Sequence, residues 1–123
     1  MSYVLNSPGP INILSTTGQS TGNWYRVHPN ARAITFQVVH TGTSVGATVG
    51  STTIIEASND GVNALATPLG TVALSSNSGT NDGFTINAGW AYVRARVGSL
   101  AATTAGSTGP SYNLSVNVAS QWR

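Results

Sequence analysis

Tyr112-Asn113-Leu114-Ser115-Val116-Asn117-Val118 is the stretch that decides the fold. Apolar and polar side chains alternate one for one, and a strand sends successive side chains to opposite faces. The segment reads as a strand with one buried and one solvated face, the habit of an antiparallel sheet. Working outward, residues 90–97 repeat the pattern: Ala91, Val93, Ala95 and Val97 share one face, and Tyr92, Arg94 and Arg96 the other. In 33–40, Ile34, Phe36 and Val38 alternate with Thr35, Gln37 and Val39. Residues 51–58 form another strand, ending at Asn59-Asp60-Gly61, where Asp-Gly tolerates the positive φ of a tight turn. Shorter strands are expected at 11–14, 24–27, 69–74 and 83–87, with Gly/Ser/Thr loops at 41–49, 75–79 and 101–110. Roughly eight short strands at intervals of about ten residues predict an all-β chain, an antiparallel β-sandwich or jelly roll. One domain is expected over residues 1–123. Pro8-Gly9-Pro10 cannot sit inside a sheet, so 1–10 reads as an N-terminal arm, and 119–123 as a C-terminal tail.

Composition narrows the function. The chain carries 16 Thr, 15 Ser, 14 Gly and 11 Asn, and is only 7% charged, against about 25% in an ordinary domain. Its cations are five Arg with no Lys, so a groove tracking phosphates, and with it nucleic-acid binding, is not expected. No apolar run approaches the ~18 residues of a membrane span, and no membrane partner is expected. Met1-Ser2-Tyr3-Val4 does not open a secretory signal. Cysteine is absent, which excludes disulfides and zinc thiolates and suits synthesis in a reducing cytoplasm.

The candidates for chemistry are few. Asp60 and Asp82 each precede a Gly and read as turn residues. Glu56 lies within a strand and calls for a cross-strand Arg, either Arg94 or Arg96. His28 and His40 stand twelve apart with no companion His or Cys, which matches no zinc spacing. No Gly-x-Ser-x-Gly elbow is present. No enzymatic activity, metal or cofactor is therefore expected. An exposed aromatic beside Asn makes a sugar platform, and Trp24, Tyr25, Trp90 and Trp122 are the available aromatics.

Four stretches in order carry a family resemblance. They are Thr53-Ile54-Ile55-Glu56-Ala57-Ser58-Asn59-Asp60-Gly61, then Leu69-Gly70-Thr71-Val72, then Asp82-Gly83-Phe84-Thr85-Ile86-Asn87, then Trp90-Ala91-Tyr92-Val93-Arg94-Ala95-Arg96-Val97. Over 51–97 this order resembles small β-sandwich structural proteins of tailed-bacteriophage virions, of the capsid decoration (cement) type. The resemblance implies no catalytic residues. It implies a protein made in the bacterial host cytoplasm, a place on the outer surface of the head, the major capsid protein as partner, and self-association as a dimer or trimer. Tail, neck or fibre proteins share such sandwiches, and a glycan-binding module is the remaining alternative. Expected contact residues are Tyr3, Val4 and Leu5 of the arm and Trp122 and Arg123 of the tail, since terminal apolar groups order on a partner. Arg94 and Arg96 are a second set, facing an acidic capsid surface.

Overall fold

The computed structural model describes residues 3–5, 9–43, 49–76, 80–87, 89–102 and 111–122. Its strands are β1 (Tyr3–Val4), β2 (Ile11–Thr16), β3 (Ser20–Thr21), β4 (Tyr25–Arg26) and β5 (Ala31–Thr43). β6 (Val49–Ser58), β7 (Gly70–Ser76), β8 (Thr80–Asn87), β9 (Tyr92–Ala102) and β10 (Ser111–Trp122) follow. One sheet has the order β1-β4-β9-β6-β7, with β3 also on β9; the other has the order β2-β10-β5-β8. Pairing is antiparallel except for the two-residue β1–β4 contact. A hairpin joins β6 to β7, whereas the steps β4 to β5, β5 to β6, β7 to β8, β8 to β9 and β9 to β10 change sheet. This interleaving is the jelly-roll form of the β-sandwich.

The cleanest alternations became the centre. β10 pairs with β5 from Ser111 opposite Thr43 to Trp122 opposite Ala31. Ile34, Phe36 and Val38 of β5 and Leu114, Val116 and Val118 of β10 are buried on the inner face. They meet Ile55 of β6 and Val93 and Val97 of β9, also buried. Each such side chain contributes roughly 1.5–3 kcal/mol by leaving water, so the period-2 pattern and the core are one fact.

Three expectations need correction. The segment 1–10 is not simply an arm: Tyr3–Val4 is a strand, and Leu5 is fully buried, its N–H donating to the Arg26 carbonyl at 2.9 Å. Leu5 is thus a core residue rather than a surface contact, because an apolar side chain next to a sandwich edge gains more from the core than from water. The segment 119–123 is not a tail, since β10 runs in register with β5 to Trp122. The side chains of Tyr3, Val4 and Trp122, and all of Arg123, lie outside the described residues. Asp82 is not in a turn: it sits in β8 opposite Val38. Edge strands tolerate a charge, and there it blunts sheet-to-sheet pairing.

Asp60 does make its turn. Its Oδ1 accepts from the Val62 and Asn63 amides, each at 2.8 Å, and from the Ser58 hydroxyl at 2.8 Å; Oδ2 accepts from Asn63 Nδ2 at 2.9 Å. These donors, led by the Asn63 and Val62 amides, hold the carboxyl well below the usual carboxylate range. Gly61 follows at φ 71°, and a Cβ there would stand 3.2 Å from the Tyr92 ring. Asp60→Ala is expected to lower Tm at neutral pH. The gap from wild type narrows as pH falls below 3.8, where the unfolded chain's carboxylate takes up a proton while the native one stays ionised. Thermal melts followed by circular dichroism check both.

His40 faces inward from β5 at 3% exposure, with no hydrogen-bond partner for Nδ1 among the described residues. Burial lowers its pKa from the ordinary 6.5, so folding favours the neutral ring. Stability is therefore complete above pH 6.5 and declines as pH falls below it, where the unfolded chain binds the proton first. His40→Phe should lose that decline, read as the pH dependence of the urea midpoint.

Candidate functional site

Three surfaces carry polar or aromatic side chains in an ordered arrangement. The first is the outward face of the four-stranded sheet. Register places Asn12 of β2 beside Asn117 of β10, Asn117 beside Gln37 of β5, and Gln37 beside Gly83 of β8. Asn12 Nδ2 donates to Asn117 Oδ1 at 3.1 Å and Gln37 Nε2 to Asn81 Oδ1 at 3.3 Å; the Thr35 and Thr85 hydroxyls meet at 2.8 Å. Between Ala33 and Thr41 of β5, none of the outward positions is charged. A shallow groove of about 330 Å³ runs between Asn117, Gln37 and Asn81, with Asp82 on its rim. Its floor is open because Gly83 has no side chain; a Cβ there would stand 2.1 Å from the Phe36 carbonyl oxygen.

The second surface is the outward face of the other sheet, and here the cross-strand pair expected for Glu56 forms. Glu56 lies opposite Arg94. Arg94 Nε donates to Glu56 Oε1 at 2.8 Å, and Arg96 reaches the same carboxylate at 3.5 Å. The Arg94 guanidinium also lies 4.3 Å from the centre of the Trp24 ring, a cation–π contact. Burial pushes the Glu56 carboxyl up, but hydrogen bonds and charge from Arg94 and Arg96 outweigh it and hold it below the ordinary 4.5. Folding thus favours the ionised form, and its stabilisation is present above pH 4.5 and lost as pH falls below it. Glu56→Gln strands two guanidinium groups beside a neutral amide and should cost about 1–3 kcal/mol at neutral pH. Denaturant titration should show that cost vanishing in acid. Of the two arginines, Arg96 keeps the more accessible side chain, at 37% against 22%.

The third is a cleft of about 300 Å³ at one end of the six-stranded sheet. β9 pairs antiparallel with both β4 and β6, so the end of β4, the end of β6 and the approach to β9 converge. Val27 N–H donates to the Ala91 carbonyl at 2.8 Å, and the Ala91 amide reaches Asn59 Oδ1 at 3.5 Å. Arg26, His28 and Pro29 form one wall, and Asn59, Gly89 and Trp90 complete it. Sequence reasoning named Trp90 but had no means to bring Arg26, His28 and Asn59 to it, since strand order alone makes them neighbours. Of the other aromatics, Trp24 has a face under Arg94, and Tyr25 packs against the core.

Among the described residues, no three His, Asp or Glu come together in a metal-binding group. No helix there is long and apolar enough to cross a membrane.

No family model and no curated protein matches the chain. Among solved structures it is similar to the carbohydrate-binding module CBM6cm-2 of Cellvibrio mixtus lichenase 5A, in complex with cellotriose. That match has 14% identity over 94% of this chain and 98% of the other, with a TM-score of 0.43. At that distance the surfaces of this chain are read from their own residues.

Proposed function

We propose that this chain is a virion structural protein of a tailed bacteriophage, a decoration (cement) protein on the outer surface of the head. It lies across neighbouring major capsid subunits, so that separating them under internal DNA pressure must break further contacts. The observation that carries the reading is the outward face of the four-stranded sheet, uncharged across Asn12, Asn117, Gln37 and Asn81 with Asp82 only at the groove's rim. Its amides and hydroxyls hydrogen-bond to one another across the strands, and such a face meets another protein without desolvating an ion. Four strands about 4.8 Å apart and about 30 Å long give roughly 600 Å², a large part of the ~800 Å² that each partner brings to a standard interface. A dimer or trimer gripping several capsid subunits multiplies a modest single contact through effective concentration. The resemblance over 51–97 supports the same reading, and Arg96 remains an available contact for an acidic neighbour.

The test is stoichiometry in purified particles after heads and tails are separated. Hundreds of copies on heads are expected. A handful of copies, or recovery with tails, would replace this reading with a tail, neck or fibre role. Gln37→Arg and Asn117→Arg, which place charge on the face without touching the core, should abolish head binding and leave the circular dichroism spectrum unchanged.

One observation favours a second reading, carbohydrate binding: the end cleft sets the half-buried Trp90 beside Asn59, an apolar platform next to an amide.

A further inference from the structure

We infer that the end cleft takes an acidic sugar, a pyranose bearing a carboxylate, with its ring on Trp90 and its carboxylate on Arg26. This rests on the carbohydrate reading and names its ligand.

A pyranose ring has an apolar C–H face and a belt of hydroxyls, so it needs an aromatic surface with hydrogen-bonding groups at its edge. Trp90 supplies the surface. Its side chain is half-buried and lines the cleft, and nothing crowds the space at the neighbouring Gly89. Asn59, at the end of β6, supplies an amide able to donate and accept. The His28 ring is held against the same wall, its Nδ1 accepting from the Asn30 amide at 3.0 Å.

Arg26 makes the choice between acidic and neutral sugars. Arg94 and Arg96 share Glu56. Arg26 is exposed at the cleft, and among the described residues no carboxylate lies within ion-pair distance of it. Among the described residues, none that lines the cleft is acidic. A guanidinium presents a planar fork that a carboxylate fills with two parallel hydrogen bonds, which a neutral hydroxymethyl group cannot do. At about 300 Å³ the cleft has room for a terminal sugar rather than a long chain.

The experiment is a titration of the isotope-labelled full chain with methyl glucuronide and, separately, methyl glucoside, following the Trp90 indole N–H by NMR. Glucuronide should bind with a Kd of about 1–10 mM, as expected of one ring held by one stack and a few hydrogen bonds. Glucoside should bind at least ~10-fold more weakly, one charge-assisted contact fewer. Arg26→Gln, at an exposed position, should bring the two sugars level, and Trp90→Ala should remove both. Should Trp90→Ala fail to fold, Arg26→Gln still decides. Equal binding of both sugars by wild type, or selectivity that survives Arg26→Gln, overturns the acidic-sugar assignment while leaving carbohydrate binding standing. Saturable shifts that bypass Trp90 overturn the cleft as the site. Saturation by neither sugar overturns this inference and the carbohydrate reading, and leaves the particle-docking reading untouched.

Discussion

Phe36→Ala is expected to cost about 3–5 kcal/mol of unfolding free energy, the range for truncating a buried aromatic. That is a large share of the 5–15 kcal/mol typical of a whole domain. Phe36 is fully buried in β5, and its ring lies 5.6 Å from that of Phe84 in β8. Phe84 in turn covers Gly70 at the start of β7, where an added Cβ would stand 2.6 Å from the ring. The two rings and that glycine therefore join the four-stranded sheet to the edge of the other. Removing Phe36 leaves a cavity and withdraws support from Phe84 together. Urea denaturation should show a lower midpoint at an unchanged slope. A loss under ~1 kcal/mol would mean that the neighbours collapse into the space, and that the Phe36–Phe84–Gly70 contact is not what joins the sheets.

Leu5→Ala is expected to cost about 2–5 kcal/mol, although Leu5 lies in a segment that reads as an arm. The side chain is fully buried in the common core, and its N–H is tied to the Arg26 carbonyl. A residue kept exposed for a partner would give a change within about 0.5 kcal/mol. Equilibrium denaturation of the isolated protein separates the two, because no partner is present. A near-zero effect would restore Leu5 to the contact set and contradict its packing.

The strands that sequence located best are those whose pattern is governed by burial. Leu114, Val116 and Val118, then Ile34, Phe36 and Val38, then Val93, Ala95 and Val97 are the alternating apolar positions of 112–118, 33–40 and 90–97 that the structure buries, with His40 the polar exception on the inward face of β5. The two strands missed, Tyr3–Val4 and Ser20–Thr21, are two residues long and therefore have no period to read. The Asp82 error has a similar cause. Asn-Asp-Gly is turn chemistry in isolation, but pairing along β5 from Ala33 to His40 carries β8 straight through it, and tertiary pairing overrides local preference. Asp60, with the same local signal, kept its turn because Ser58, Val62 and Asn63 all bond to it.

The candidate surfaces divide the same way. That Glu56 needs an arginine across the strand was legible, because a carboxylate on a half-buried strand demands a partner. That it takes both Arg94 and Arg96, with Trp24 stacked on the former, depended on register.

By itself, the sequence determined the fold class and the inner face of each long strand, because a period of two and the cost of burying polar groups are local properties. It also determined that the outer surface would be amide and hydroxyl with little charge. Only the tertiary structure decided which outward residues share a face. Strand order places Asn12, Asn117, Gln37 and Gly83 in one row, and Arg26, Asn59 and Trp90 at one cleft. These neighbours are far apart in the chain, and pairing between distant strands is settled by the packing of the whole core rather than by any segment of it.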